Sequence, residues 1–341
     1  MPSDAPLLEV EDLVITTSGP DGEDVNLIDG VSFTVEEGEV VGVVGESGSG
    51  KSLTVLAIMG LLPVGLSVTR GSIRWRGTEL IGMRDHVLRT MRGRDFGMIF
   101  QDPMTALNPI RRVGPQILEA VRLHQGGSRK NARDRALELL DTVGVPEPEV
   151  RSRSYPHEWS GGMRQRAVIA MAMANNPALL IADEPTTALD VTVQAQVMST
   201  LKKAREELSS ALILITHDLA LAAENASRML IMYSGRIVES GNTHDIFLRP
   251  AHPYTLGLLK SLISETDQRA YAIPGNPPSP RSRPGGCPFA PRCELSRGRS
   301  ICVTESPLLE KRSNNSYSAC HFSHEVVDGS LNQQTERNHN G

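Results

Sequence analysis

Three glycines and a lysine inside one octapeptide, Gly45-Glu46-Ser47-Gly48-Ser49-Gly50-Lys51-Ser52, leave few folds open to this chain. The spacing is the phosphate-cradling pattern, in which a buried strand runs into a tight turn and the turn into a helix. Glycines let the backbone curl until its N–H groups point inward at phosphate oxygens. The helix that follows adds the positive end of its dipole. In such a loop Lys51 reaches the β- and γ-phosphates and the Ser52 hydroxyl binds Mg²⁺. The flanks agree. Glu39 to Val44 is a buried-type run ending at Gly45, and from Lys51 the apolar period turns helical through Leu53, Leu56 and Ala57 before Pro63. Average residue usage puts a chance match in a chain of this length at about 1%.

Strands and helices alternate along the rest of the chain. Residues 7–45 read as strands, with a turn at Gly19-Pro20-Asp21-Gly22. Short apolar runs at 96–100, 178–182, 212–216 and 229–233 predict buried strands. Helices are predicted over 113–144 with a break at Gly126-Gly127, after Ser160, over Val191–Leu208 and over Leu219–Asn225. This order predicts an α/β fold with a mainly parallel sheet covered on both faces. The N-terminal strands lack crossover helices and are expected to form an antiparallel side layer.

Several polar residues close apolar runs. Leu179-Leu180-Ile181-Ala182 leads into Asp183-Glu184, Phe96 to Phe100 into Gln101, and Leu212 to Thr216 into His217. Parallel sheets place ligand sites at the carboxyl ends of their strands, where Gly45, Gln101, Asp183 and His217 all fall. An acid there can hold Mg²⁺ through water, and the adjacent carboxylate can polarise an attacking water as general base.

Trp159-Ser160-Gly161-Gly162-Met163-Arg164-Gln165-Arg166 is by itself a Ser-Gly-Gly turn able to cap a helix. Together with the other motifs it resembles the signature sequence of ABC-transporter ATPases, and the resemblance covers residues 7 to about 265. Gln101 matches that family's Q-loop residue, Thr187-Ala188-Leu189-Asp190 its D-loop and His217 its switch histidine. The resemblance implies a P-loop NTPase fold of the ABC type, ATP and Mg²⁺ as ligands, and ATP hydrolysis. It implies Glu184 as the base, His217 as the group that senses the γ-phosphate, and Ser52, Gln101 and Asp183 about the Mg²⁺. In that family two units sandwich two ATP molecules, so Ser160, Gly161, Gly162 and Asp190 would act on the partner's nucleotide. Residues 102–159 would form a helical subdomain facing membrane subunits.

Two features depart from the common family pattern. Val14-Ile15-Thr16-Thr17-Ser18 offers no aromatic residue where many members stack adenine, and Met163 stands where many have Gln. The Met variant resembles the oligopeptide and dipeptide importer branch. So does Arg249-Pro250-Ala251-His252-Pro253-Tyr254-Thr255, in which His252 reads as structural, before a helix with Tyr254, Leu258, Leu259 and Leu262 facing the core. The resemblance implies peptide uptake with two transmembrane permease subunits, a second related ATPase subunit and an extracytoplasmic substrate-binding protein. Import of nickel or another small solute is the alternative within the branch. A soluble non-transport ABC ATPase and a non-hydrolysing regulatory module are the alternatives outside it.

A net charge of -5 gives no basic field for nucleic acid. No run is apolar for the ~18 residues a membrane helix needs, and residues 1–9 lack the pattern of a secretory signal. The expectation is a peripheral protein on the cytoplasmic face of a membrane, held there by other subunits. Composition shifts near Thr266. The expected organisation is a nucleotide-binding domain over 1–265, a loop-rich small domain over 266–322 and a disordered tail over 323–341. The four cysteines, Cys287, Cys293, Cys302 and Cys320, all lie in the second part. Their spacing lacks the C-x2-C knuckles of common zinc folds. Four thiolates suit an iron–sulfur cluster or Zn²⁺, and free thiols or disulfides are the third reading. Related importer ATPases include members with a cluster in this region, which implies a [4Fe–4S] centre, with His321 beside it or exposed.

Overall fold

The computed structural model describes residues 5–19, 22–125, 128–187, 189–264, 271–313 and 315–327. The chain divides into two compact units. One comprises Met1–Leu8, Val35–Val40 and Trp75–Ile215; the other comprises Glu9–Thr34, Val41–Arg74 and Thr216–Gly341.

In the first unit Phe96–Ile99, Leu179–Asp183 and Ala211–Thr216 form parallel strands, with Phe96 opposite Leu179 and Asp183 opposite Ile215. Every residue of these strands is buried, as expected of a sheet covered on both faces. Gly97 sits mid-strand because a Cβ there would come within 2.4 Å of the Ala172 carbonyl oxygen. Helices run over Val113–Gln125, Arg129–Thr142, Gly161–Ala172 and Val191–Leu208. The predicted break at Gly126-Gly127 lies outside the described residues. Asp190 caps the last of these helices by accepting from Val193 N–H at 3.0 Å, which sets its start.

In the second unit Val40–Val44 pairs in parallel with Arg228–Tyr233. Arg228–Tyr233 turns back onto Arg236–Asn242 through Ser234 and Gly235, both at positive φ (48° and 77°), the backbone a two-residue hairpin loop requires. The sheet continues antiparallel through Ser316–Ser318 to Glu310–Ser313. Asp24–Val35, Leu8–Ser18 and Leu66–Trp75 are neighbours in a separate sheet. Leu66–Trp75 escapes sequence reading because only Ile73 and Trp75 of it are buried, so its apolar period is weak.

The core of this unit joins distant parts of the chain. Tyr233, Tyr254 and Phe289 meet with ring centroids 4.8 to 5.5 Å apart, packed with Val44, Leu219 and Leu259. Leu258 and Leu262 pack against the same cluster, as the helical period of Pro253–Ser264 predicts. One boundary needs correction. Ser323–Val327 is a helix, not the start of an irregular tail. Val326 packs with Leu295 and Cys320, and Arg299 grips Glu325 with two 2.8 Å bonds. The remainder of the expected tail, 328–341, lies outside the described residues.

Candidate nucleotide site

The phosphate-type loop lies in the second unit, between the strand Val40–Val44 and the helix Lys51–Ile58. Two of its glycines leave no room for a side chain. A Cβ on Gly45 would lie 2.2 Å from the Met232 carbonyl oxygen, and one on Gly50 (φ 104°) 2.3 Å from Ile28 Cδ1. Lys51 is buried, and its Nζ donates to the carbonyls of Gly45 (2.7 Å) and Glu46 (3.0 Å). Ser49 Oγ is buried with no hydrogen-bond partner among the described residues. Ser47 and Gly48 are exposed at the tip, and Ser52 lies on the first turn of the helix. The stretch Val14–Ser18 lies within the strand Leu8–Ser18 of the same unit.

In the first unit the acidic pair ends the strand Leu179–Asp183. Asp183 is buried, and Glu184 turns off the strand at φ 46°. A non-glycine residue in that region carries strain, which persists where surrounding bonds over-determine it. Those bonds are present. Glu184 N–H donates to the Ile215 carbonyl at 2.9 Å, and Oε2 accepts from Gln101 Nε2 and Thr187 Oγ1, both at 3.0 Å. Gln101 and Glu184 are thus brought together from two strand ends. His217, in the second unit, is exposed just before Asp218, which caps the helix Leu219–Asn225.

The Ser-Gly-Gly turn opens a helix as its sequence predicts, with Ser160 Oγ accepting from Met163 N–H at 3.3 Å. Both glycines face the segment that follows the acidic pair. A Cβ on Gly161 would lie 3.2 Å from Leu189 Cδ2, and one on Gly162 2.6 Å from Val193 Cγ1. Ser160 and Asp190 are therefore exposed caps of two neighbouring helices. Ala188 of the same segment lies outside the described residues.

All four cysteines are free, and all line one small cavity of about 20 Å³ with Phe289, Leu295 and Phe322. Cys287 N–H donates to the Cys302 carbonyl at 2.9 Å, which draws two of the thiol-bearing turns together. Burial pushes the Cys293 thiol up to about 11 and Cys320 up to about 12. Among the described residues no three His, Cys, Asp or Glu side chains are gathered as the ligands of one metal ion. His321 lines the same cavity and bonds the Glu305 carbonyl. His252 is buried, with Nδ1 accepting from Tyr254 N–H, so its role is structural.

One contact to the phosphate-type loop carries no sequence signal. Arg292 binds the Glu46 carboxylate from 246 positions away.

Residues 28–187 match the ABC transporter family, and residues 238–302 match the oligopeptide/dipeptide transporter C-terminal region. The oligopeptide transport ATP-binding protein OppD of Mycobacterium tuberculosis is 51% identical over 93% of this chain, which spans 52% of that relative's length. OppD of Escherichia coli is 47% identical over 89% of this chain and 90% of its own. The dipeptide transport ATP-binding protein DppD of Escherichia coli is 46% identical over 93% and 96%. Among solved structures, a dimeric ATP-binding cassette in a post-hydrolysis state, bound to ADP and Pi, superposes on 69% of this chain and 98% of its own. Its TM-score is 0.62 at 28% identity.

Proposed function

The chain belongs to the ABC transporter family, in its oligopeptide/dipeptide branch, and on that premise we propose that it is the ATP-hydrolysing motor subunit of a peptide importer. Residues 45–52 hold the nucleotide phosphates, with Lys51 on the β- and γ-oxygens and Ser52 on Mg²⁺. The observation that carries the reading is Glu184, held in a strained backbone by Gln101 and Thr187. A carboxylate fixed in that way can take a proton from an attacking water. Asp183 and Gln101 assist the metal, and His217 meets the γ-phosphate. Ser160, Gly161 and Gly162 act on the nucleotide of a second ATPase subunit as a second set of donors at a helix N-terminus, and Asp190 acts on the same nucleotide.

ATP binding draws two such subunits together and hydrolysis releases them, so the work comes from differential contacts in the closed and open states. Residues 102–159 pass that movement to two permease subunits, and an extracytoplasmic binding protein delivers the peptide. No described helix is long and apolar enough to cross a membrane, which suits a subunit attached to the cytoplasmic face through its partners. Relatives named for oligopeptide and dipeptide transport favour peptides over nickel or another small solute as cargo.

Cys287, Cys293, Cys302 and Cys320 would hold a [4Fe–4S] centre. Four soft sulfurs line one largely apolar cavity, a donor set that suits such a cluster. When bound, the cluster supplies cross-linking of the turns that carry it, and a site for electron exchange.

The test is co-purification of the tagged chain from solubilised membranes, followed by phosphate release. The expected result is two permeases, a second ATPase subunit and peptide-stimulated ATP hydrolysis. A chain that brings down no membrane subunit, or a complex that releases no phosphate, overturns the reading.

A further inference from the structure

We propose that Arg292 is a positioning residue for nucleotide binding, which holds the phosphate loop by its second residue, Glu46. The inference rests on the nucleotide reading of residues 45–52 above. Glu46 is anchored twice. Its backbone N–H donates to Tyr254 Oη at 2.9 Å, and its carboxylate accepts a fork from Arg292, Nη1 to Oε2 at 2.8 Å and Nη2 to Oε1 at 3.1 Å. A planar guanidinium meets both carboxylate oxygens only in one plane, so the fork fixes direction as well as distance.

Arg292 itself is immobilised. Its Nε donates to the Pro274 carbonyl at 2.9 Å, Nη1 also reaches Tyr233 Oη at 3.3 Å, and Nη2 the Ile273 carbonyl at 3.4 Å. All five guanidinium N–H groups therefore have acceptors. The rings of Tyr233 and Phe289 lie 5.7 and 5.9 Å from its central carbon, and its side chain is 6% exposed. A surface ion pair in water contributes little. A buried one with every donor met cannot part without leaving a charge unpaired.

The same Glu46 offers its carbonyl to Lys51 Nζ. Arg292, Glu46 and Lys51 are thus linked in a line from the C-terminal segment to the phosphate-binding lysine. The turn Ala290–Arg292 leads directly into Cys293, and Ala290 and Cys293 line the thiol cavity. The shape of the loop is therefore tied to the packing of that segment. Without Arg292 the Glu46 carboxylate loses its counter-charge beside two buried tyrosines, and the loop spends less time with its N–H groups turned inward. A smaller binding-competent population lowers apparent affinity in proportion and leaves the chemical step alone.

The test uses the full chain in its importer complex. A fluorescent ATP analogue reports the dissociation constant and phosphate release reports KM and kcat, for wild type, Arg292→Ala, Glu46→Gln and the double variant. Each single change is expected to weaken nucleotide binding about tenfold, or 1.4 kcal/mol, with KM rising in step and kcat within about twofold. The double variant should be no worse than either single, since both remove the same pair. Arg292→Lys should restore only part of the affinity, because an ammonium cannot make the fork. Glu46→Gln leaves Arg292 and its bonds to Pro274 and Ile273 in place, so it decides the matter if Arg292→Ala fails to fold. Wild-type affinity in Glu46→Gln overturns the proposal, as does an additive loss in the double variant or a fall in kcat with KM unchanged. A wild-type complex that binds no nucleotide overturns the reading of residues 45–52 as well, so the two failures are distinguishable.

Discussion

Gln101 Nε2 donates a 3.0 Å hydrogen bond to Glu184 Oε2 across 83 positions of sequence. Their strands lie side by side, with Ile99 opposite Ala182, so each side chain leaves the sheet just past the same end. The bond places a neutral amide on the carboxylate proposed to activate water. It can orient the base without neutralising it.

Glu184→Gln should retain ATP binding and lower turnover by about 10²–10⁴, the usual cost of losing a general base. Single-turnover phosphate release checks it. Near-normal hydrolysis in this variant removes Glu184 from its role.

Ser160→Ala should cost about 1 kcal/mol of helix stability as a lost cap. It should also lower hydrolysis in the assembled ATPase pair while leaving the isolated chain's own ATP affinity unchanged, because the proposed contact is with the partner's nucleotide. The comparison needs equilibrium binding on the isolated chain and hydrolysis by the pair. A loss of affinity in the isolated chain would place Ser160 at the wrong nucleotide.

Stability should respond to pH through two buried groups in contact. Burial lifts Glu239 to about 7 and drives His252 down to about 3. Glu239 accepts from the N–H groups of Ala251 (2.6 Å) and His252 (3.0 Å), which only partly offset the lost hydration. The folded state holds the Glu239 proton more tightly than the unfolded chain, whose ordinary value is 4.5. Its contribution is therefore greatest below that value and is lost as pH rises toward about 7. His252 acts in the opposite sense. The unfolded chain takes up its proton below 6.5, so stability falls as pH drops from there toward about 3. Glu239→Gln should remove the first dependence and leave stability rising between about pH 5 and about pH 7, by up to about 1.4 kcal/mol per unit. Urea midpoints across that range test it; identical pH slopes in variant and wild type would contradict it.

Anaerobically purified protein should be brown and contain about four irons per chain, as the proposed cluster requires. Cys293→Ser should lose colour and iron. Colourless protein with one zinc per chain would replace the cluster with a zinc site. Four freely titrating thiols in folded protein would leave neither.

What the sequence determined by itself was whatever rests on short-range chemistry. The phosphate-type loop is legible because its backbone geometry is local: Gly48 and Gly50 take positive φ (76° and 104°) inside the octapeptide itself. The helices Val191–Leu208 and Leu219–Asn225 begin where predicted because Asp190 and Asp218 cap them through bonds spanning three residues. The buried strands are legible as unbroken apolar runs, and the polar residues closing them mark the candidate site. The tertiary structure alone decided what depends on partners far along the chain. Leu66–Trp75 and the hairpin Glu310–Ser318 have little apolar period, and their place comes from the strand beside which each lies. Ser323–Val327 is helical because Val326 finds a hydrophobic seat and Glu325 a guanidinium. Arg292 shows the limit most plainly. Its neighbours in sequence read as a loop between prolines and cysteines, yet its charge is met by Glu46, which the fold brings to it. A local pattern specifies backbone geometry and periodicity. The choice of partner for a buried charge is made by the packing around it, and that is set only when the whole unit has assembled.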